Sequence, residues 1–485
     1  MKRKISIFLC ALILTQLAAC GEASDDPKVT TPPADAGTTE PAETGIPDDL
    51  PESDLEGYEF RILGFGDSRF AAIYVDEQNG SLVNDAVYNK CKTVEDRFGC
   101  KIVLAGGSTV GGTTSTSEEG SVIAQSILAG DDTFDIVSAH DITMANLSLQ
   151  GMFVNMYDVN YVNFNKPWWP KYTVESLTFN GAMYLFSNSL SYNNMSDTRV
   201  LFFNKSMLDD LKIEYPYQSV YDGNWTLDAL GAITKQGCKD LNGDGKQGDE
   251  DQYGIVNPNY YYCVLEPFNI EPYQKENDQL VYKIDLDKYQ TIVEKFYALF
   301  FGEGGRVFEE NGGATTAFAE NRAIFTYGQM SDAINTYSQT NISYGILPMP
   351  KLDENQTQYF GGCTDRPLAI PITADSHLDT TGLIVEALSA EGYRQVFPAY
   401  FEQALKVRYA DQTDDANMID IINENVILSF TYMYGNFNSS YNNMLYKLFA
   451  VNNPSTDVAS YAASIQSEQE ERVKYIAQQF EDMKK

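Results

Sequence analysis

The chain has 485 residues, and 68 acidic against 34 basic side chains give a formal net charge of −34. That balance excludes a nucleic-acid-binding surface, which needs a basic face. It also argues against capture of anionic ligands and against direct docking on anionic lipid. The length is sufficient for two domains, each with its own core.

The first 20 residues read as an export signal. Lys2, Arg3 and Lys4 precede an apolar run over residues 5–19. The run is too short for a stable membrane-spanning helix and ends in small residues, LAAC, at Cys20. Residues 21–56 are rich in Pro, Thr, Ala and acids, with few large apolar side chains. Such a segment cannot bury enough surface to offset its ordering entropy, so a disordered acidic tether is expected. Beyond the leader remain Cys91, Cys100, Cys238, Cys263 and Cys363, an odd set without a CxxC pair. They read as mostly buried free thiols, with one disulfide left open. His140 and His377 are the two histidines, and neither sits in a His/Cys cluster with zinc spacing.

From residue 59 the pattern alternates. EFRILGF (59–65) reads as a strand, and 82–98 as a helix with Val83, Val87, Cys91, Val94 and Phe98 on one stripe and Ser81 as its cap. KIVLA (101–105) is a second strand. SVIAQSILAG (121–130) is a helix ended by Gly130. FDIVSA (134–139) is a third strand, and Asp141 is expected to cap a helix running to Gly151. Strand–helix repeats of this kind imply parallel strands with right-handed crossovers. Ligands bind outside the carboxyl ends of such strands. Asp67, His140 and Asp141 occupy those positions.

Further on, VLFFNKSMLDDL (200–211) reads as a strand running into a helix. WTLDALGAITKQG (225–237) reads as a helix capped by Thr226. RAIFTYG (322–328), YGILPMP (344–350) and LAIPI (368–372) read as strands, and the chain after Thr381 as mainly helical.

Taken in order, LAAC, the tether, FDIVSAHDITMANLSLQGMFVNM, LFFNKSMLDDL, NWTLDALGAITKQ, FTYG with YGILPMPK, and the helical tail resemble the extracellular solute-binding lipoproteins of carbohydrate ABC transporters, the maltose-binding-protein-like family. The resemblance spans residues 57–485. It implies an α/β, two-lobed periplasmic-binding-protein-like fold of type II. Each lobe would be a mixed, mostly parallel sheet flanked by helices, with the ligand cleft at the hinge. It places lobe 1 at 57–166 plus 322–375 and lobe 2 at 167–321 plus 376–485. It implies lipidation of Cys20 and anchoring on the outer face of the cell membrane. It further implies a monomer without enzymatic activity, capture of a carbohydrate, and delivery to permease subunits. An extracellular glycan-active enzyme and a calcium-dependent adhesion or scaffold lipoprotein are the rival classes.

A sugar is held by aromatic faces below and by amide, carboxylate and hydroxyl groups around its edge. NKPWWP offers Trp168 and Trp169 as stacking platforms, or as core. LSYNNMSD offers Tyr192 and Asn193, or an Asn-rich turn. Tyr261 in NPNYYYC, Tyr327 in TYGQM, and Asp365 and Arg366 in GGCTDRP complete the ligand set.

DLNGDGKQGDED (240–251) has the spacing of an EF-hand loop. Asp240, Asn242 and Asp244 take positions 1, 3 and 5, Gly245 the sharp turn, Lys246 its carbonyl, and Asp251 position 12. A bound Ca2+ is expected here as a structural brace, away from the cleft; the alternative is a solvated acidic turn.

Overall fold

The computed structural model describes residues 45–65, 70–105, 116–257, 265–307, 311–363, 366–406, 413–435, 444–449 and 453–484. Its strands, in chain order, are β1 (Glu59–Gly64), β2 (Lys101–Leu104), β3 (Ile136–Ser138), β4 (Arg199–Asn204), β5 (Tyr253–Asn257), β6 (Tyr273–Glu276) and β7 (Gln279–Tyr282). They continue with β8 (Gly305–Val307), β9 (Ala323–Gln329), β10 (Tyr344–Leu347), β11 (Gly361–Gly362), β12 (Leu368–Ala369) and β13 (Val426–Ile427).

The first sheet has the order β12-β3-β1-β2. β1, β2 and β3 are parallel, as the alternation implies, and β12 adds antiparallel to β3. The helix Leu82–Phe98 lays Val83, Val87, Cys91, Val94 and Phe98 into the interior and ends at Gly99. That glycine adopts φ +60°, a left-handed conformation that costs it nothing. Burying those five side chains stabilises the lobe by roughly 1.5–3 kcal/mol for each of the larger ones. Ser81 does stand at the cap position, but its side chain makes no capping bond. His140, not Asp141, stands at the cap position of the helix Asp141–Ser148, and its side chain makes no capping bond.

The second sheet has the order β10-β4-β9-β5-β8. β4 runs antiparallel to β9 and β10, whereas β5 is parallel to β8 and β9. Asn204 caps the helix Lys205–Leu211 by accepting from Met207 N, and Thr226 caps Leu227–Thr234 by accepting from Ala229 N. This sheet corrects the expected lobe boundaries. β9 and β10 belong to it, not to lobe 1, because both pair with β4. Conversely, Trp168 to Leu190 and the helix Leu378–Glu391 contribute to the first core, not the second. A split of this kind depends on which distant strands pair, and local periodicity carries no record of that.

Among the described residues, three segments that pass between the two cores touch side by side. Thr198 bridges antiparallel to Cys363. β11 pairs in parallel with β13, and Cys363 N donates to Ile427 O at 3.1 Å. A helical route also crosses: Leu378–Glu391 in the first core continues through a π-helical turn, Gly392–Val396, into Phe397–Lys406, where Tyr400 joins the second lobe's packing. The C-terminal helix Val458–Asp482 spans both, with Ile465 in one core and Ile476 and Phe480 in the other.

Residues 45–56, expected to belong to the disordered tether, are instead strapped to the first lobe, because Asp48 and nearby backbone carbonyls find basic partners there. Asp48 pairs with Arg97 at 2.7 Å and Arg394 at 3.1 Å. Arg394 also donates to Ile46 O, and Lys166 to Pro47 O, each at 2.6 Å. Among the described cysteines Cys91, Cys100 and Cys363 are buried free thiols as expected, but Cys238 is exposed. No helix among the described residues is long and apolar enough to cross a membrane.

Candidate functional site

Polar side chains collect at the carboxyl ends of the parallel strands of both sheets. In the first lobe, His140 and Asp141 follow β3 directly, and Arg366 precedes β12. Glu119 joins them: one carboxylate oxygen accepts from His140 N at 3.0 Å, and the other meets Arg366 at 3.2 Å. His140 Nδ1 lies 2.6 Å from Asp141, whose second oxygen accepts from the Tyr432 hydroxyl at 2.6 Å. That hydrogen bond to Asp141 raises the His140 pKa against the opposing effect of burial. Burial pushes Asp141 up, but bonds from His140 and Tyr432 outweigh it and hold the carboxyl below its usual range. Glu119 and Tyr432 were not legible as partners, because they come from a helix and a segment 291 residues away from Asp141.

In the second lobe, the strand register brings Arg199, Asn257 and Tyr327 together. Leu201 faces Tyr327 across β4 and β9, Arg199 faces Gln329, and Val256 faces Thr326 across β5 and β9. The alternation puts the Arg199, Tyr327 and Asn257 side chains on the sheet face that carries Leu201, Ile255 and Phe325. The Arg199 guanidinium lies 6.0 Å from the Tyr327 ring centroid, within cation–π range. Glu266, in the short 3-10 turn Glu266–Phe268, feels the same cation. Burial, then the neighbouring Glu271 carboxylate, pushes Glu266 up to about 7.

Several of these groups are buried without a use. Asn257 is 1% exposed, and neither its Oδ1 nor its Nδ2 has a hydrogen-bond partner among the described residues. Glu266 Oε2, in a residue 4% exposed, is likewise unpartnered, as is Asn194 Oδ1 in the first crossing segment. Buried polar groups left unpaired cost roughly 1–3 kcal/mol each. Asn257 stands at the carboxyl end of β5, Glu266 in a 3-10 turn and Asn194 in a short helix, so the unpaired groups come from three different elements. The strand-end argument that selected His140 would have selected Asn257 had it been applied to YGIVN.

Other expectations resolve differently. Trp168 and Trp169 do not present a face: they are 0% and 2% exposed, and both indole N–H groups donate to the Glu386 carboxylate at 2.8 Å. Ring and N–H are satisfied inside the first core, which corrects the stacking-platform reading. Tyr192 is half-buried, with its ring 5.3 Å from that of Tyr400, and Asn193 is buried at the start of a short helix beside the crossing. Asp67, Tyr261, Asp365 and Cys20 lie outside the described residues.

In the 240–251 loop, Asp240 accepts from Gly243 N at 2.6 Å and Gly245 N at 2.9 Å. Asn242 accepts from Asp244 N, and Asp244 from Lys246 N. Asp251 is buried and accepts from Leu241 N and Gly248 N. Gly245 has φ +75°, the left-handed turn that position 6 of the motif requires. The carboxylates therefore serve the loop's own N–H groups. The one set of acidic and histidine side chains with converging ligand atoms among the described residues lies elsewhere: Asp132, Asp135 and His377. There Arg61 already pairs with both aspartates.

This arrangement of two sheets joined by hinge crossings is the two-lobed solute-binding-protein fold. No protein-family model matches the chain, and no curated relative matches it. Solved structures do. The galacto-N-biose/lacto-N-biose I-binding protein of an ABC transporter from Bifidobacterium longum, bound to lacto-N-biose, superposes with a TM-score of 0.55 at 12% identity, covering 87% of this chain and 99% of that one. A maltose/maltodextrin-binding domain from Bdellovibrio bacteriovorus, bound to maltotriose, gives 0.51 at 14% identity over 85% and 99%. A cyclo/maltodextrin-binding protein complexed with maltotetraose gives 0.51 at 14% identity over 89% and 98%.

Proposed function

We propose that this chain is a non-catalytic receptor that captures a sugar or oligosaccharide between its lobes and hands it to an ABC transporter permease. The observation that carries the reading is the set of buried, unpartnered amide and carboxyl groups of Asn194, Asn257 and Glu266 beside the hinge. These are neutral or near-neutral donors and acceptors that suit hydroxyls. The comparison structures bound to lacto-N-biose, maltotriose and maltotetraose point the same way. A ligand touching both lobes would shift the population toward a closed state. The LAAC leader supports a lipid on Cys20 and a place on the outer face of the cell membrane.

A thermal-shift screen of the purified chain against mono- and oligosaccharides, followed by calorimetry, tests the proposal. At least one sugar should bind saturably without being altered, and Asn257→Ala should weaken it about tenfold or more, the cost of one to two buried hydrogen bonds. Turnover of a glycan would replace this reading with an enzyme. Absence of any saturable sugar binding would also sink it.

For residues 240–251 we propose a structural Ca2+ brace, supported by the EF-hand spacing and the left-handed Gly245. Asp240, Asn242, Asp244, the Lys246 carbonyl and Asp251 would hold the ion once the side chains turn from their N–H partners. Calcium should raise the melting temperature of the wild type but not of an Asp240→Ala/Asp244→Ala variant. Identical melting in calcium and in chelator would end the idea.

A further inference from the structure

The segment after the turn Glu266–Phe268 is a further passage between the two cores. Phe268 belongs to the second core and Ile270 packs against it, whereas Tyr273, at the start of β6, is buried in the first. Glu271 stands between them and is tied to the short helix Phe430–Tyr434, about which Thr431 lies 160 residues further along the chain. One Glu271 oxygen accepts from Thr431 N at 2.7 Å and from the Thr431 hydroxyl; the other accepts from the Ser429 hydroxyl at 2.8 Å. Tyr273 N in turn donates to the Thr431 hydroxyl oxygen at 3.0 Å. The helix closely follows the crossing strand β13 and buries Phe430, Met433 and Tyr434 in the first core. Ser429 caps it by accepting from Tyr432 N at 3.0 Å.

Tyr432 is the residue of this helix that reaches the strand-end cluster. Its hydroxyl donates to Asp141 Oδ2 at 2.6 Å, a short bond of the charge-assisted kind. Asp141 Oδ1 is taken by Ile142 N at 2.7 Å and lies 2.6 Å from His140 Nδ1. Each carboxylate oxygen thus has one side-chain partner, His140 on one and Tyr432 on the other. An aspartate carboxylate turns easily about its last side-chain bond, so two opposed partners are what fix its plane. The charged groups around His140 are Asp141 on its own helix, Glu119 on the helix Thr116–Ala129 and Arg366 ahead of β12, and the bond to Asp141 is foremost in raising its pKa. Those around Glu271 are Lys275 on β6 and Glu266.

We infer that Tyr432 is a positioning residue of the binding site: it fixes the Asp141 carboxylate, and through it His140, at the end of β3, while Glu271 fixes Tyr432 from the passage between the lobes. Its effect on ligand capture rests on the sugar-receptor reading above; its effect on His140 does not. NMR titration of the histidines in the full chain therefore tests it without a ligand. Of the two histidine signals, the one missing from His140→Gln belongs to His140. Its midpoint should lie above the ordinary 6.5 in the wild type and fall back toward that value in Tyr432→Phe. Glu271→Gln, which keeps one acceptor at the helix start, should move it the same way by less. Calorimetry with maltose, cellobiose, lactose and diacetylchitobiose then reads capture. For a sugar that binds the wild type, Tyr432→Phe should weaken affinity about tenfold, the equivalent of one charge-assisted hydrogen bond. The two substitutions together should cost less than the sum of their separate effects, because both act through one carboxylate. An unmoved His140 midpoint or an unchanged affinity in Tyr432→Phe overturns the positioning role and leaves the receptor reading intact. Full additivity overturns the part given to Glu271. If no sugar of the panel binds the wild type, the role in capture falls together with the receptor reading.

Discussion

A carboxylate that accepts two indole N–H groups cannot be exchanged for an apolar side chain without loss. Glu386 holds Trp168 and Trp169 in this way. Glu386→Ala would leave both donors buried and unpaired, at roughly 1–3 kcal/mol apiece. We expect a denaturant midpoint well below wild type, with Glu386→Gln intermediate because one acceptor survives. Equal midpoints for wild type and alanine variant would refute this account. The same pair shows what a sequence conceals at this scale. NKPWWP announces two large aromatics, yet nothing local states whether their neighbours are solvent or Glu386, 218 residues away from Trp168. His140, Asp141 and Arg366 were legible because their position depended only on where strands end. Arg199, Glu119 and Glu266 depended on pairing between remote segments, and sequence pattern is silent there.

At the scale of elements, the π-helical turn Gly392–Val396 is a tightly constrained joint. A Cβ at position 392 would lie 1.8 Å from Ser189 O, and that atom is backbone with little room to yield. The turn widens the helix where it passes from one lobe's core to the other's, a usual place for such an insertion. Gly392→Ala is expected to destabilise the chain by about 2 kcal/mol or more through overpacking. Its melting temperature reports this directly, and an unchanged value would show that the helix can move away. The elements themselves were mostly readable. β1, β2, β3, the helix Leu82–Phe98 and the Thr226 cap all arise from short-range periodicity and capping chemistry. The assignment of β9 and β10 to the second sheet arises from register with β4, and so it was missed.

For the whole molecule, three buried acids set the pH response. Burial pushes Glu266, Glu271 and Glu386 up to about 7 from an ordinary 4.5. An acid whose folded pKa is raised favours the folded state fully below its unfolded value. That contribution is lost as pH rises through the folded value. Stability should therefore decline between pH 4.5 and somewhat above 7, and Glu386→Gln should flatten part of that slope. Asp48, Asp135 and Asp141 are held below their ordinary 3.8, so their contributions appear above that value and vanish only in stronger acid. Chemical denaturation across this range decides it; a midpoint that rises from pH 5 to 8 contradicts the assignment. Small-angle scattering adds a second check, since a bound sugar that closes the lobes should reduce the radius of gyration.

The strap ahead of β1 has a mechanical meaning. Asp48, Ile46 and Pro47 are fastened to Arg97, Arg394 and Lys166, all on the first lobe or the turn leaving it. Tension applied ahead of residue 45 would thus be delivered to one half of the molecule and stop there, leaving the half that carries Arg199 and Asn257 unloaded. Such a pull would shift the molecule as a whole without prising its two sheets apart.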